Sequence, residues 1–295
     1  MECPLHGRCP ECGTGFAWAD VMNPARTELS WYVEHAHSKR EMIQRTAGTM
    51  RRLALPWVFW RLVGFESTIR IRALAVWLGL FAAGLHLLVS IPAGFGFWLG
   101  ASSRYYGSLG SLYQSAGIKG LLVPVINALG YPFVDIGVSY RTGELFVLSG
   151  YFNSGSMRET ILISVPFIGM TLLWLIIMLV VPTTRRRAKI RSAHVFRATL
   201  ISMLTIFIAF EMVRLAHGID MFTSKSGFVS GGSDRLLMET IIPIMMIWLL
   251  VFWASAIRVG WKIRPSWSLV FMGSIASLLG GFVIYYVTAV YFDWI

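Results

Sequence analysis

Five long, nearly uncharged apolar runs dominate this sequence and leave few folds open to it. About 20 apolar residues suffice to cross a bilayer. Inside hydrocarbon each backbone N–H and C=O must be satisfied within its own segment, so such runs are expected to be helices. The first extends from Ala73 to Gly100, interrupted only by His86. The second is Thr160 to Pro182, the cleanest of the five. The third runs from Ala198 to about Leu215 and carries Glu211 and Arg214 toward its end. The fourth is Thr240 to Ile257, and the fifth Pro265 to Phe292. The chain is 56% apolar and 14% charged, against roughly 45–50% and about 25% for soluble domains. The expected fold class is therefore all-α: a polytopic bundle of five transmembrane helices in contact with the lipid bilayer.

Charge orients the bundle. Residues 48–72 hold Arg51, Arg52, Arg61, Arg70 and Arg72 against Glu66 alone. The link between the second and third runs, "TTRRRAKIRSAHVFR", has six basic residues and no acid. Arg258, Lys262 and Arg264 fill the link between the fourth and fifth. The 217–239 link has two basic residues against three acids. Basic and non-basic links alternate, and basic loops face the cytoplasm. The sequence thus predicts an inner-membrane protein with a cytoplasmic N-terminus and an external C-terminus. The net charge of +11 follows from this topology and does not call for nucleic acid as a partner. One segment, 121–138, is apolar but carries Pro124, Pro132 and Asp135. Were it to cross, "RRRAKIR" would face outward, so it is expected to be re-entrant or surface-lying within a long external loop, about 101–159.

Residues 25–70 form a distinct zone. Leu29, Val33, Ala36, Ile43, Ala47, Met50 and Ala54 trace one helical face, broken by Arg40, with Lys39, Arg45, Arg51 and Arg52 on the other. The expectation is a basic amphipathic helix ended by Pro56, with Trp57 and Trp60 as aromatic anchors. It lies either on the cytoplasmic membrane surface or docked on the bundle.

The opening residues, 1–24, differ from all the rest. "CPLHG" and "CPECG" repeat one pattern, and Cys3, His6, Cys9 and Cys12 form a four-ligand Cys3His set suited to structural zinc. Such a closed set has no open position for a substrate. His35 or His37, in "EHAH", are alternatives to His6. The three cysteines lie too close together for a disulfide framework and suit a metal in a reducing compartment.

Over about twenty residues, "HGRCPECGTGFAWADVMNP" resembles the N-terminal tag of uncharacterised multi-pass membrane proteins of planctomycete-type bacteria. Those typically carry an earlier Cys-x-x-Cys-Gly-Tyr-Asp-Leu knuckle, which is absent here. The resemblance implies no known activity. A cytoplasmic N-terminus with five spans is also similar, in topology only, to the Yip1 membrane family.

Ionisable residues inside a membrane are default functional candidates. Glu211 and Arg214 are three residues apart and share a helix face, while His86 stands alone in the first span. They read as a structural pair plus a hydrogen-bonded histidine, or as a proton path. Ala75, Gly79 and Ala83 in the first span, and Ala276, Ser277, Gly280 and Gly281 in the fifth, permit close helix packing within one chain or between copies in a homo-oligomer. No Walker loop, HExxH, Gly-x-Ser-x-Gly or dinucleotide fingerprint is found. The expected function is a non-enzymatic scaffold or interaction protein whose zinc-binding tag meets a cytoplasmic protein. The alternative is a small-solute or proton-coupled permease using His86 and Glu211.

Overall fold

The computed structural model describes residues 6–8, 15–18, 28–64, 67–104, 117, 122, 125–126, 129, 136–138, 145–147, 155–180, 190–223, 237–263 and 266–294. Five helices are long and apolar enough to cross a membrane. The first is α3, Ile71–Arg104, and the second α4, Gly155–Val180. The third is α5, Ser192–Thr223. The fourth is α6, Ile242–Ser255, extended at both ends by single π-helical turns. The fifth is α7, Ser266–Trp294. Before them come two short helices, α1 (Lys39–Leu53) and α2 (Pro56–Leu62). Among the described residues there are also two antiparallel pairs of three-residue strands: β1 (His6–Arg8) with β2 (Gly15–Ala17), and β3 (Ile136–Val138) with β4 (Leu145–Val147).

The direction of each span follows from which residues meet. Ser67 and Thr68, just before α3, bond Arg197 near the start of α5. Further along, Ser90 of α3 meets Arg214 of α5, so the two helices run parallel. Ile163, early in α4, packs with Val213 and Ala216, late in α5. Trp174, late in α4, stacks on Trp253, late in α6, with ring centroids 5.5 Å apart. Gly281 of α7 abuts Pro166 of α4, and Gly273 abuts Trp174, so α7 opposes α4. Spans one, three and five therefore run one way, and two and four the other. The end of α3 and the start of α4 therefore lie toward the same face of the bundle. Leu129, within the 121–138 segment, offers its carbonyl to His86 Nε2 at 2.8 Å.

Large apolar side chains on α7 stand open to the surroundings, among them Phe271, Met272, Phe282, Val283 and Tyr286. On a soluble protein so large an apolar face would be an aggregation liability. On an integral membrane protein it is the surface that meets lipid.

The basic amphipathic zone differs in detail from the sequence expectation. The helix begins at Lys39, so Leu29, Val33 and Ala36 lie ahead of it, the last two around a short 3-10 turn, Val33–His35. The reason is an N-cap: Ser38 Oγ accepts from the Glu41 N–H at 3.2 Å, and the Glu41 carboxylate reaches back past the cap to accept from the His37 N–H at 2.8 Å. As expected, the helix stops at Leu53, just ahead of Pro56, which sits in the first turn of a second helix, α2, where its missing N–H costs nothing. Trp57 is exposed as an anchor should be, but Trp60 is fully buried against Phe252, Trp261 and Gly260. Tyr32, Val33, Met42, Leu53, Phe59 and Trp60 belong to the same core as the spans. Side-chain bonds reinforce it: Trp77 Nε1 of α3 donates to Thr46 Oγ1 of α1, and Trp248 Nε1 of α6 to the Leu53 carbonyl. Ile43, Leu55 and Leu62 remain exposed, so α1 and α2 are docked on the bundle and still carry an outward apolar edge.

The small-residue stripes behave differently from one another. In α7, Gly280 and Gly281 let α4 approach closely, through Leu173, Met170 and Pro166. In α3, Gly79 faces outward, and a Cβ there would meet nothing within 4 Å. A Cβ on Gly273 would lie 2.4 Å from the ring of Trp174, itself held by its stack on Trp253. We expect Gly273→Ala to lower stability by about 1–3 kcal/mol, the usual cost of overpacking. Gly79→Ala should be neutral or slightly stabilising, as Ala is the better helix former. Thermal midpoints of the two variants in detergent check this contrast.

Candidate functional site

Two clusters of charge lie along α3 and α5, the first shared with the N-terminal layer. At the starting end of α5, Arg197 and Glu34 are both buried, and Arg197 Nε lies 2.8 Å from Glu34 Oε2 in an ion pair that is not a linear hydrogen bond. Arg197 also donates to Ser67 Oγ at 2.9 Å and to the Thr68 carbonyl at 2.6 Å. The other oxygen of Glu34 accepts from the Arg70 backbone N–H at 2.6 Å. One buried pair therefore ties the "EHAH" stretch, the 67–70 connection and the third span together.

His35 completes this knot. Its Nδ1 accepts from the Leu29 N–H at 2.7 Å, which places the proton on Nε2, and Nε2 lies 3.0 Å from the Thr68 carbonyl. Both ring nitrogens are in use, so His35 cannot also serve as the fourth metal ligand considered from the sequence. His37 is exposed; its Nε2 meets Glu28 at 2.8 Å, and Arg70 pairs with the other oxygen of Glu28. Burial, opposed by the hydrogen bond to Thr68, holds His35 below the ordinary histidine range.

Toward the far end of the same helix pair, the structure brings together all three intramembrane candidates. Glu211 and Arg214 pair at 2.6 Å, and both are buried. His86 joins them from α3. Its Nδ1 lies 2.9 Å from Glu211 Oε1 and 2.7 Å from Arg214 Nη1. That nitrogen serves one neighbour at a time. Bearing a proton, it donates to the carboxylate; bare, it accepts from the guanidinium. Nε2 donates to the Leu129 carbonyl at 2.8 Å when it carries the proton, as it does in the tautomer with Nδ1 bare. Ser90 Oγ accepts from Arg214 Nη2 at 2.7 Å and donates to the His86 carbonyl at 2.7 Å. Spacing along α5 announced the Glu211–Arg214 pair. Nothing local announced that His86 and Ser90 would close it into a network.

The tag ligands Cys3, Cys9 and Cys12 lie outside the described residues. His6 sits in β1 opposite Ala17, and the Arg8–Gly15 pair brackets residues 9–14, with Cys9 and Cys12. Among the described residues no group of three or more His, Cys, Asp and Glu could hold a metal ion. Sequence reasoning missed Glu34 and Arg197, because an acid in a polar loop and an arginine at a span end both look solvated.

No family model matches this chain, nor does any curated protein or solved structure.

Removing one partner of a buried ion pair leaves an uncompensated charge, typically costing about 3–5 kcal/mol. Arg197→Met should therefore destabilise by about that much, and Glu34→Met combined with it should recover part of the loss; equilibrium or thermal unfolding of the single and double variants measures both. The pH dependence has a definite sign. A histidine held below its unfolded value of about 6.5 contributes stability above that pH and loses it as the pH falls toward the folded value. Protection factors of the amides in residues 28–37, taken against the intrinsic exchange rate at each pH, are expected to fall below about pH 6.5, and that fall should weaken in His35→Gln.

Proposed function

We propose that this chain is a non-enzymatic membrane scaffold that presents a metal-stapled N-terminal tag to a cytoplasmic protein. One observation carries the reading: residues 28–63 share the core of the bundle and are locked to α5 through Glu34 and Arg197. Whatever binds the tag therefore acts on a base rigidly joined to the spans. On this reading Cys3, His6, Cys9 and Cys12 hold one zinc. Three thiolates and an imidazole form a closed structural set, and the Cys-x-x-Cys-Gly knuckle falls between the paired strands β1 and β2. The tag lies on the cytoplasmic side of the inner membrane and the C-terminus outside. Support for this orientation comes from Arg70, Arg72 and Arg191, which gather where α3 and α5 begin.

A second reading, a proton-coupled permease, is favoured by the two alternative partners of His86 Nδ1. Against it, Arg214 holds both Glu211 and Ser90 by hydrogen bonds through Nη1 and Nη2, as a structural cluster would.

Metal analysis of the purified full-length protein separates the two. The scaffold reading expects about one zinc per chain, lost in Cys9→Ser and in His6→Ala. It also expects no pH-gradient-driven flux in proteoliposomes beyond that of protein-free vesicles. Metal-free wild type would overturn the tag. Proton flux abolished by Glu211→Gln would move the function to the His86 cluster. A reporter fused to the C-terminus should be active only in its exported form.

A further inference from the structure

We propose that the cleft where α3 and α5 begin is a binding site for a phosphate-bearing anion. The cleft has a volume of about 1060 Å³ and is lined by residues 67–73 together with Arg191, Ala193 and His194. Arg70, Arg72 and Arg191 therefore line one opening. Arg70 is engaged by Glu28, whose carboxylate offsets its charge. Arg72 and Arg191 are exposed and have no ion-pair partner among the described residues. Among the described residues their charges are not offset by any carboxylate, and an anion would meet them.

Three further features point the same way. Helices α3 and α5 run parallel, so both start at this cleft, and each brings the positive end of its dipole to it. His194, in the first turn of α5, lines the cleft and is 95% buried, since its relative exposure is 5%. Its Nδ1 is buried and has no hydrogen-bond partner among the described residues. Buried polar groups are nearly always paired, and an oxyanion or its bound water would supply the partner. The position matters too. Arg70, Arg72 and Arg191 flank the first residues of the two spans, Ile71 and Ser192. That is the level of lipid headgroups, where basic pockets between spans bind anionic lipids.

Volume narrows the ligand. Sites for small organic molecules occupy about 300–1,000 Å³, so this cleft exceeds what a lone phosphate ion fills and suits a phosphodiester with substituents. Arginine forks match phosphate oxygens two at a time. The shared chemistry is a phosphate group carrying net negative charge, drawn either from an anionic lipid headgroup or from a soluble phosphate compound. This inference does not rest on the scaffold reading.

The test uses the full-length protein in a neutral detergent, with phosphatidylglycerol, phosphatidylcholine or inorganic phosphate added separately. Retained lipid is read by native mass spectrometry, and the thermal midpoint is followed in parallel. We expect phosphatidylglycerol to bind at least about tenfold more tightly than phosphatidylcholine and to raise the midpoint. Arg72→Gln with Arg191→Gln should abolish that preference, whereas the control pair Arg40→Gln with Arg51→Gln, on exposed positions of α1, should keep it. Both pairs are surface changes and are expected to fold; the midpoint without ligand verifies this. A response to phosphatidylglycerol alone assigns the site to lipid. A response to inorganic phosphate as well, lost in the same double variant, assigns it to a soluble anion. Equal binding of the two lipids with no response to phosphate, or equal losses in both variant pairs, overturns the proposal.

Discussion

The buried pair of Glu34 and Arg197 is the interaction on which the rest of the arrangement turns. A guanidinium in the first third of a membrane helix is costly unless its charge is met and its donors are filled. Here a carboxylate, a hydroxyl and a backbone carbonyl meet it. None of these comes from another span. All belong to the segments before α3, so the third span satisfies its arginine only if the N-terminal layer is docked. The docking in turn buries Tyr32, Phe59 and Trp60, and the aromatic contacts run on into α6 and the turn after it. Charge sets the register of the layer, and apolar burial supplies most of the attraction.

The two polar clusters of α5 share a logic but differ in consequence. Around Arg197 the partners are mostly fixed acceptors, and the ring of His35 has one tautomer that fits. That cluster behaves as a clasp. Around Arg214 the histidine nitrogen faces both an acid and a base, so its proton decides which neighbour it engages. That cluster is compatible with a clasp or a relay, and the geometry alone weights it toward the former because every partner lies within the protein. Between the two clusters, α3 and α5 pack through apolar and small hydroxyl side chains. Ser202 and Thr205 bond carbonyls of their own helix and ask nothing of a neighbour.

Much of the fold is legible locally. Long apolar runs give the spans to within a few residues, since length and hydropathy are properties of contiguous sequence. The ends are less legible. The third span begins at Ser192, ahead of Ala198, because Arg197 reads as a loop residue until its partners are known. The start of α1 was written in Ser38 and Glu41, but a stripe of apolar residues at helical spacing ran past that signal. The stripe of Ala75, Gly79 and Ala83 looked like a packing face and turns outward. The equivalent glycines of α7 do pack. The same small residues appear in both, and only the neighbours differ.

By itself, the sequence determined a helical membrane chain of five spans, the asymmetry of its basic links and the i, i+3 pairing of Glu211 with Arg214. Each depends on residues close together in the chain. Tertiary structure alone decided that Glu34 would meet Arg197, that His86 and Ser90 would close the Glu211 network, and that Arg72, Arg191 and His194 would line one cleft. Those groups are brought together by the parallel run of α3 beside α5, and helix direction and contact across a bundle are set by packing between segments far apart in sequence.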